Sequence, residues 1–196
     1  MEKGGLAAAL AAVGLTRASR VGFADEQRIG LRGTTRRVWG RRGTKVRQRL
    51  QLRYEWAYLW AAVDARSGTI WWDWVDTMKA ADLRPVIAEV RARGLLDALA
   101  WDGAPSHADA EVHAAGLPLV ALPPYSPELN PAERLFEEVR RRVEGTVYAT
   151  LDAKVAEVQA FLGELDADPA RVRRLCGWGW LTDALDALPA PTEKAA

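Results

Sequence analysis

Cysteine and histidine are scarce in this chain of 196 residues, which has one cysteine, Cys176, and two histidines, His107 and His113. A single cysteine excludes an internal disulfide framework and is typical of a protein in a reducing compartment. These three side chains also cannot form a structural zinc site without help from carboxylates. Any metal ion that this chain binds should therefore have oxygen ligands.

Long hydrophobic runs are also missing. Residues 6–15 (LAAALAAVGL) superficially resemble the apolar core of a signal peptide, but they are rich in alanine, follow the acidic Glu2 and lack a convincing cleavage site. No segment approaches the length that a membrane-spanning helix requires. We therefore predict a helical remnant or linker over residues 1–19, and a cytoplasmic protein with no membrane partner.

Acidic residues are nearly absent from the first quarter of the chain, although the net charge is only +1. Residues 1–53 contain 13 Lys/Arg and 3 Asp/Glu, whereas residues 54–196 contain 14 Lys/Arg and 23 Asp/Glu. Such a basic block is typical of a surface that binds a phosphate backbone, although a merely solvated segment gives the same pattern. The candidate nucleic-acid contacts are Arg28, Arg32, Arg36, Arg37, Trp39, Arg41, Arg42, Lys45, Arg47 and Arg49.

The pattern of apolar residues predicts an α/β fold. Strands are predicted over residues 20–24, 56–63, 69–75, 95–101 and 117–122, and a further run over 46–52, with glycines around it, indicates a basic β-hairpin inserted after the first strand. Helices are predicted over residues 82–94, 106–115, 131–144, 151–165 and 169–176. This order matches the ribonuclease-H-like fold, a mixed five-stranded sheet flanked by helices. We assign residues 20–180 to this domain and residues 181–196 to a C-terminal tail.

Three carboxylates are placed to meet at one edge of this sheet. Asp25 and Asp102 each directly follow a predicted apolar strand, where ligands of open α/β sheets gather. Glu133 falls in the first turn of the helix that follows the last predicted strand, and its side chain leans toward the helix N-terminus. Glu133 could instead simply cap its own helix, with Asn130 as N-cap. Carboxylates that converge without Cys or His favour Mg²⁺ or Mn²⁺, and two such ions could serve phosphoryl transfer.

Two sequence blocks resemble the signature of the mariner-type superfamily of DDE transposases, in its bacterial insertion-sequence branch. They are WDGAPSH (residues 101–107) and LPLVALPPYSPELNPAERLFEEVRRRV (residues 117–143), preceded by FADEQ and a basic W-G-x-x-G segment. The resemblance covers residues 21–143 in the correct order. It implies a catalytic and metal-binding triad of Asp25, Asp102 and Glu133. Three positions depart from the usual pattern, with Gly103 for Asn, Phe136 for Trp and Arg140 for Lys, and the Asp102-to-Glu133 interval is somewhat short.

The resemblance implies a DNA transposase catalytic domain that cleaves a DNA strand and transfers it to target DNA. It also implies double-stranded DNA as partner, a homodimer on that DNA, and a nucleoid-associated location when bound. Only about 20 residues precede the first predicted strand, too few for a helix-turn-helix, so we expect a separate subunit to supply one.

Two other functions remain open from the sequence. One is a domesticated or decayed transposase domain that binds DNA or a partner without catalysis, and the other is a ribonuclease-H-like nuclease. His107 could approach a phosphate, but we favour a packing role for it. Glu26 should point to the strand face opposite to that of Asp25.

Overall fold

Five strands form one mixed sheet that helices cover on both faces. The computed structural model describes residues 3–33, 39–104, 107, 110–123 and 126–191. The strands are β1 (Val21–Gly30), β2 (Trp56–Val63), β3 (Ile70–Val75), β4 (Ala98–Trp101) and β5 (Leu119–Ala121). The helices are α1 (Lys3–Ala12), α2 (Ala80–Ala92), α3 (Ala110–Ala114), α4 (Ala132–Val143), α5 (Leu151–Asp166), α6 (Pro169–Cys176) and α7 (Gly179–Asp186), with a 3-10 helix at Pro127–Leu129.

The strands lie in the order β3-β2-β1-β4-β5. β1 pairs antiparallel with β2 and parallel with β4, while β2 pairs antiparallel with β3 and β4 pairs parallel with β5. The predicted mixed five-stranded sheet flanked by helices is therefore confirmed. No helix among the described residues is both long enough and apolar enough to cross a membrane.

Residues of β1 alternate between two hydrophobic cores. Phe23 belongs to the core that includes residues of α4, α5 and α6, whereas Ala24 belongs to the core that includes residues of α2. This alternation follows from the two-residue period of a strand. Asp25 therefore shares its face of the sheet with Phe23, and Glu26 shares the other face with Ala24. The carboxylates of Asp25 and Glu26, although adjacent in the chain, therefore lie on opposite faces of the sheet.

β1 is longer than the sequence predicted. It continues past Asp25 to Gly30, because β2 pairs with it from Phe23 opposite Val63 to Gly30 opposite Trp56. The prediction that Asp25 follows the end of the strand is therefore wrong, since Asp25 lies inside β1, opposite Ala61. Its carboxylate reaches the site from the middle of a paired strand.

The predicted β-hairpin insertion is not a separate element in the described part of the chain. Arg28 lies in β1, the other described basic residues of this block lie in the connection between β1 and β2, and the strand predicted over residues 46–52 is wrong. Val46 and Leu52 alternate with polar residues as in a strand, yet both are exposed. Backbone hydrogen bonds from Leu31 N to Glu55 O (3.0 Å) and from Gly33 N to Gln51 O (2.9 Å) close the base of this connection.

The first and last described helices pack against each other. Leu6 and Leu10 of α1 and Leu181 and Leu185 of α7 are buried in the same core. α7 runs across the predicted start of the tail at residue 181, and the spacing of its buried leucines could have revealed that helix. The division of the chain at residues 19 and 180 stays a prediction, as does the helix start at residue 106, which lies outside the described residues.

Candidate active site

Sheet pairing brings the two aspartates together. Phe23 of β1 lies opposite Ala100 of the parallel strand β4, and continuing this register by two residues places Asp25 beside Asp102. Asp102 directly follows β4, and Glu133 lies in the first turn of α4. All three side chains line one cavity of about 400 Å³. The structure therefore brings together the three carboxylates that the sequence singled out.

Asn130 ties the start of α4 to the strand that carries Asp25. This buried side chain donates a hydrogen bond from Nδ2 to the carbonyl oxygen of Ala24 at 2.9 Å. Its Oδ1 accepts a hydrogen bond from the Ala132 N–H at 3.1 Å, which satisfies one free donor of the first helical turn. Sequence reasoning identified only the second role. The first role fixes Glu133 relative to Asp25.

The carboxylate of Glu133 faces the cavity and a neighbouring arginine. Its Oε2 lies 3.9 Å from Nη2 of Arg140, two turns further along α4, and both side chains are partly exposed. An exposed ion pair at this distance contributes little to stability, roughly 0–1 kcal/mol. Glu133 is therefore only weakly held, and its carboxylate can turn toward the two aspartates at low cost.

Asp25 has the most perturbed carboxylate of the site. Its pKa is raised to about 7: burial raises it most, the hydrogen bond from the Glu26 N–H (2.8 Å) lowers it, and the negative charges of Glu133, Glu26 and Asp102 add to the rise. The charged form of Asp25 is thus destabilised both by lost hydration and by its acidic neighbours. A cation in the cavity would relieve both effects.

These oxygen donors fit a hard divalent cation such as Mg²⁺ or Mn²⁺. No three His, Cys, Asp or Glu side chains are already close enough to hold one ion, in the part of the chain that the structure describes. Metal binding therefore requires the carboxylates of Asp25, Asp102 and Glu133 to turn further into their shared cavity.

His107 links Asp102 to a second carboxylate that sequence reasoning did not include in the site. Its Nδ1 lies 2.6 Å from Oδ1 of Asp102, and its Nε2 lies 3.1 Å from Oε1 of Glu26. The imidazole also stacks on the ring of Trp101, with 3.8 Å between the centroids. His107 does pack as predicted, but in contact with a candidate metal ligand.

Charge stabilises the imidazole in this position. Burial lowers the pKa of His107, but the hydrogen bond to Glu26 and the charges of Glu26 and Asp102 outweigh it, so the pKa is raised overall. A protonated ring can donate to both carboxylates at once. No local signal identifies Glu26, because 81 residues separate it from His107.

The predicted DNA-contacting residues lie apart from this cavity. Arg28 stacks its guanidinium over Trp56 at 4.2 Å, and Arg32 stacks over Tyr54 at 4.8 Å. The side chain of Trp39 is fully exposed. Arg36 and Arg37 lie outside the described residues, and the remaining candidates are all exposed: Arg41, Arg42, Lys45, Arg47 and Arg49.

Comparison with known proteins identifies the family. Residues 20–153 match the family model described as DDE superfamily endonuclease. The chain belongs to this family. No curated protein matches this DDE endonuclease chain significantly in sequence.

Solved structures of Mos1 mariner transposase share the fold of this DDE endonuclease chain. The Mos1 strand transfer complex matches with a TM-score of 0.66 and 17% identity, covering 94% of this chain and 58% of the Mos1 chain. The mariner Mos1 paired end complex with Mg matches with a TM-score of 0.64 and 19% identity, covering 94% of this chain and 59% of the Mos1 chain. The isolated Mos1 catalytic domain matches with a TM-score of 0.59 and 15% identity, covering 94% of this chain and 90% of the domain.

The structural matches confirm the ribonuclease-H-like fold, and the family model confirms the predicted membership of the DDE superfamily, while the mariner-type relation stays a prediction. The chain spans a little over half of the Mos1 chains in those two complexes, and nearly all of the Mos1 catalytic domain. The assignment to the bacterial insertion-sequence branch stays a prediction.

Proposed function

We propose that this DDE endonuclease chain is the catalytic domain of a DNA transposase, which cleaves and joins DNA strands with Asp25, Asp102 and Glu133 as metal ligands. One observation carries this proposal: three carboxylates from β1, the end of β4 and the start of α4 line one cavity. A carboxylate whose pKa is raised by burial and by acidic neighbours, as that of Asp25 is, is typical of functional sites.

The three carboxylates would hold Mg²⁺ or Mn²⁺, as two ions. Bound there, the ions would stabilise the attacking and leaving oxygens of an in-line phosphoryl displacement. The chain's own contribution is to fix the ligands. Asn130 holds the Glu133 helix against β1, and His107 holds the carboxylate of Asp102. Side chains that are already held in the reactive geometry lower the entropic part of the reaction barrier.

The exposed basic residues between β1 and β2 supply the surface for double-stranded DNA. The Mos1 relatives include a paired-end complex with a left transposon end and a strand transfer complex. By analogy, this domain acts on element ends and target DNA as a homodimer, with a helix-turn-helix unit provided by another polypeptide segment or subunit. It acts in the cytoplasm, associated with the nucleoid when bound to DNA.

Calorimetric titration with Mn²⁺ tests the metal site directly. The wild type and an Asp76→Asn variant, which changes an exposed acid outside the cavity, should bind Mn²⁺ alike. Asp102→Asn should lose most of this binding, because it removes the charge of a ligand while keeping its shape. Equal Mn²⁺ binding by all three proteins would refute the metal site.

Strand cleavage and strand transfer then separate the possible functions. We expect Mn²⁺- or Mg²⁺-dependent nicking of duplex DNA that Asp25→Asn, Asp102→Asn and Glu133→Gln abolish while Asp76→Asn preserves it. DNA binding without any cleavage would identify a non-catalytic DNA-binding domain. Cleavage without joining to a second duplex would identify a ribonuclease-H-like nuclease.

A further inference from the structure

A second, smaller cavity lies at the far end of α4, beside the last residues of β1. Its volume is about 180 Å³, and four basic side chains line it: Arg28, Arg32, Arg140 and Lys154. Among the described residues that line it, Glu144 is the only acidic one. We call this cavity the Lys154 pocket. Its surplus of positive charge favours an anion over a cation or a neutral ligand.

Lys154 is a buried cation with little counter-charge: Glu144 acts on it electrostatically without forming an ion pair, and the ring of Tyr148 lies 5.9 Å from its Nζ. Its side chain lies in α5 and is only 9% exposed. Its Nζ donates a hydrogen bond to the carbonyl oxygen of Gly30 at 2.7 Å. Among the described residues, no carboxylate forms an ion pair with it within 4.0 Å. Buried ammonium groups are normally paired, since burial without a counter-charge is costly.

Aromatic rings hold two of the arginines in place. Arg28 lies over Trp56, which itself lines the pocket, and Arg32 lies over Tyr54. Stacking fixes the guanidinium planes while leaving their N–H donors free to bind an anion. The two guanidinium groups are therefore already in position before a ligand binds, so binding does not have to order these side chains.

The pocket is too small for a nucleotide. Cavities that take drug-sized ligands span roughly 300–1,000 Å³, whereas this one offers about 180 Å³. A single phosphate group, projecting from a longer molecule that stays outside, fits both the volume and the charge. Arginine and lysine are the side chains that bind phosphate best.

Arg140 connects this pocket to the candidate active site. Its guanidinium lines the Lys154 pocket and also lies 3.9 Å from Glu133. Glu133 and Glu144 stand eleven residues apart on and just beyond α4, about 16 Å along a helix that rises 1.5 Å per residue. The pocket and the carboxylate of Glu133 therefore lie along the same helix.

We propose that the Lys154 pocket binds one backbone phosphodiester of the DNA substrate, with Lys154 as its buried cation. This inference rests on the proposed function in that DNA is the ligand. It adds Lys154 and Arg140, which lie outside the basic β1–β2 connection, to the phosphate-binding residues. Because the pocket admits a single phosphate, it sets how the duplex is positioned relative to the carboxylates.

Duplex DNA binding in EDTA tests this pocket without requiring metal or catalysis. Lys154→Met keeps the aliphatic stem but removes the charge, and should reduce the slope of log affinity against log salt by about 0.9, the value for one phosphate contact. The affinity lost relative to the wild type should then be about 3-fold larger at 50 mM than at 200 mM salt. Lys154→Arg should restore the slope, and Lys79→Met, at an exposed position before α2, should leave it unchanged.

The outcomes separate the pocket from the overall function. If the wild type binds DNA and Lys154→Met keeps its full salt slope, the pocket proposal is wrong while the proposed function stands. If the wild type does not bind DNA, the proposed function fails as well. Melting with inorganic phosphate, at matched ionic strength, completes the test. Stabilisation by phosphate that depends on Lys154, together with an unchanged DNA slope, would assign the pocket to a free anion and overturn the proposal.

Discussion

The carboxylate of Glu26 and the imidazole of His107 lie 3.1 Å apart, both almost completely buried, although 81 residues separate them in the chain. Their contact joins the middle of β1 to the loop that follows β4. Through Nδ1 of the same ring it extends to Asp102, one of the three candidate metal ligands.

Removing His107 should destabilise the protein. His107→Ala leaves the buried carboxylate of Glu26 without its partner, which costs about 1–3 kcal/mol of unfolding free energy. Urea unfolding at pH 7 measures this loss. Adding Glu26→Gln to His107→Ala should recover part of it, because the charge that lacked a partner is gone. His113→Ala, at an exposed position, is the control and should change little. Equal stability of wild type and His107→Ala would contradict the burial of a paired carboxylate.

Asp25 should make the metal-free protein less stable as the pH rises. Its pKa is raised from 3.8 to about 7 in the folded protein, so the folded state holds the proton more tightly than the unfolded state. Stability from this group is present below pH 4 and is lost between about pH 4 and pH 7, at up to about 1.4 kcal/mol per pKa unit. Asp25→Asn removes this loss, and in EDTA it should therefore be more stable than the wild type at pH 8.

Urea unfolding at pH 4 and at pH 8 provides the measurement. The advantage of Asp25→Asn over the wild type should be larger at pH 8, and Asp76→Asn should show no such dependence. Mn²⁺ should stabilise the wild type at pH 8, since it binds the charged carboxylate, but not Asp25→Asn. An advantage of the same size at both pH values would show that Asp25 titrates normally.

The basic β1–β2 connection should dominate the salt dependence of DNA binding. Each phosphate contact contributes about −0.9 to the slope of log affinity against log salt. Replacing Arg36, Arg37, Arg41 and Arg42 with Ala should therefore flatten the slope by up to about 3.6. The matched control replaces four exposed arginines elsewhere with Ala: Arg17, Arg84, Arg93 and Arg174. A similar loss of slope in both variants would mean that only net charge matters.

The first helix should be part of the folded core. Leu10 is completely buried, in the core that also contains Leu181 and Leu185 of α7. Leu10→Ala should lower the unfolding free energy by about 2–5 kcal/mol, the usual cost of this change in a core. Val13→Ala, at a side chain that is 41% exposed, should cost far less. Denaturant unfolding compares the two, and similar small losses would show that α1 is not held against α7.

Patterns within short segments determined much of this protein. The bounds of β2 and α6 follow directly from their apolar runs and helix start signals. Asp102 directly follows a predicted strand and Glu133 lies in a predicted helix, and the motif around them predicts the triad. Local sequence suffices there, because side-chain period and helix capping depend only on neighbours a few residues away.

Only the tertiary structure decided the rest. β1 runs through Asp25 because β2 pairs with it, whereas residues 46–52 alternate like a strand but have no strand beside them in the described part of the chain. The contacts of His107 with Glu26, of Asn130 with the Ala24 carbonyl, and of Lys154 with the Gly30 carbonyl span 81, 106 and 124 residues. Each of these contacts depends on how separate elements pack. A buried polar side chain needs a hydrogen-bond partner, but no pattern within one segment specifies which distant group that partner will be.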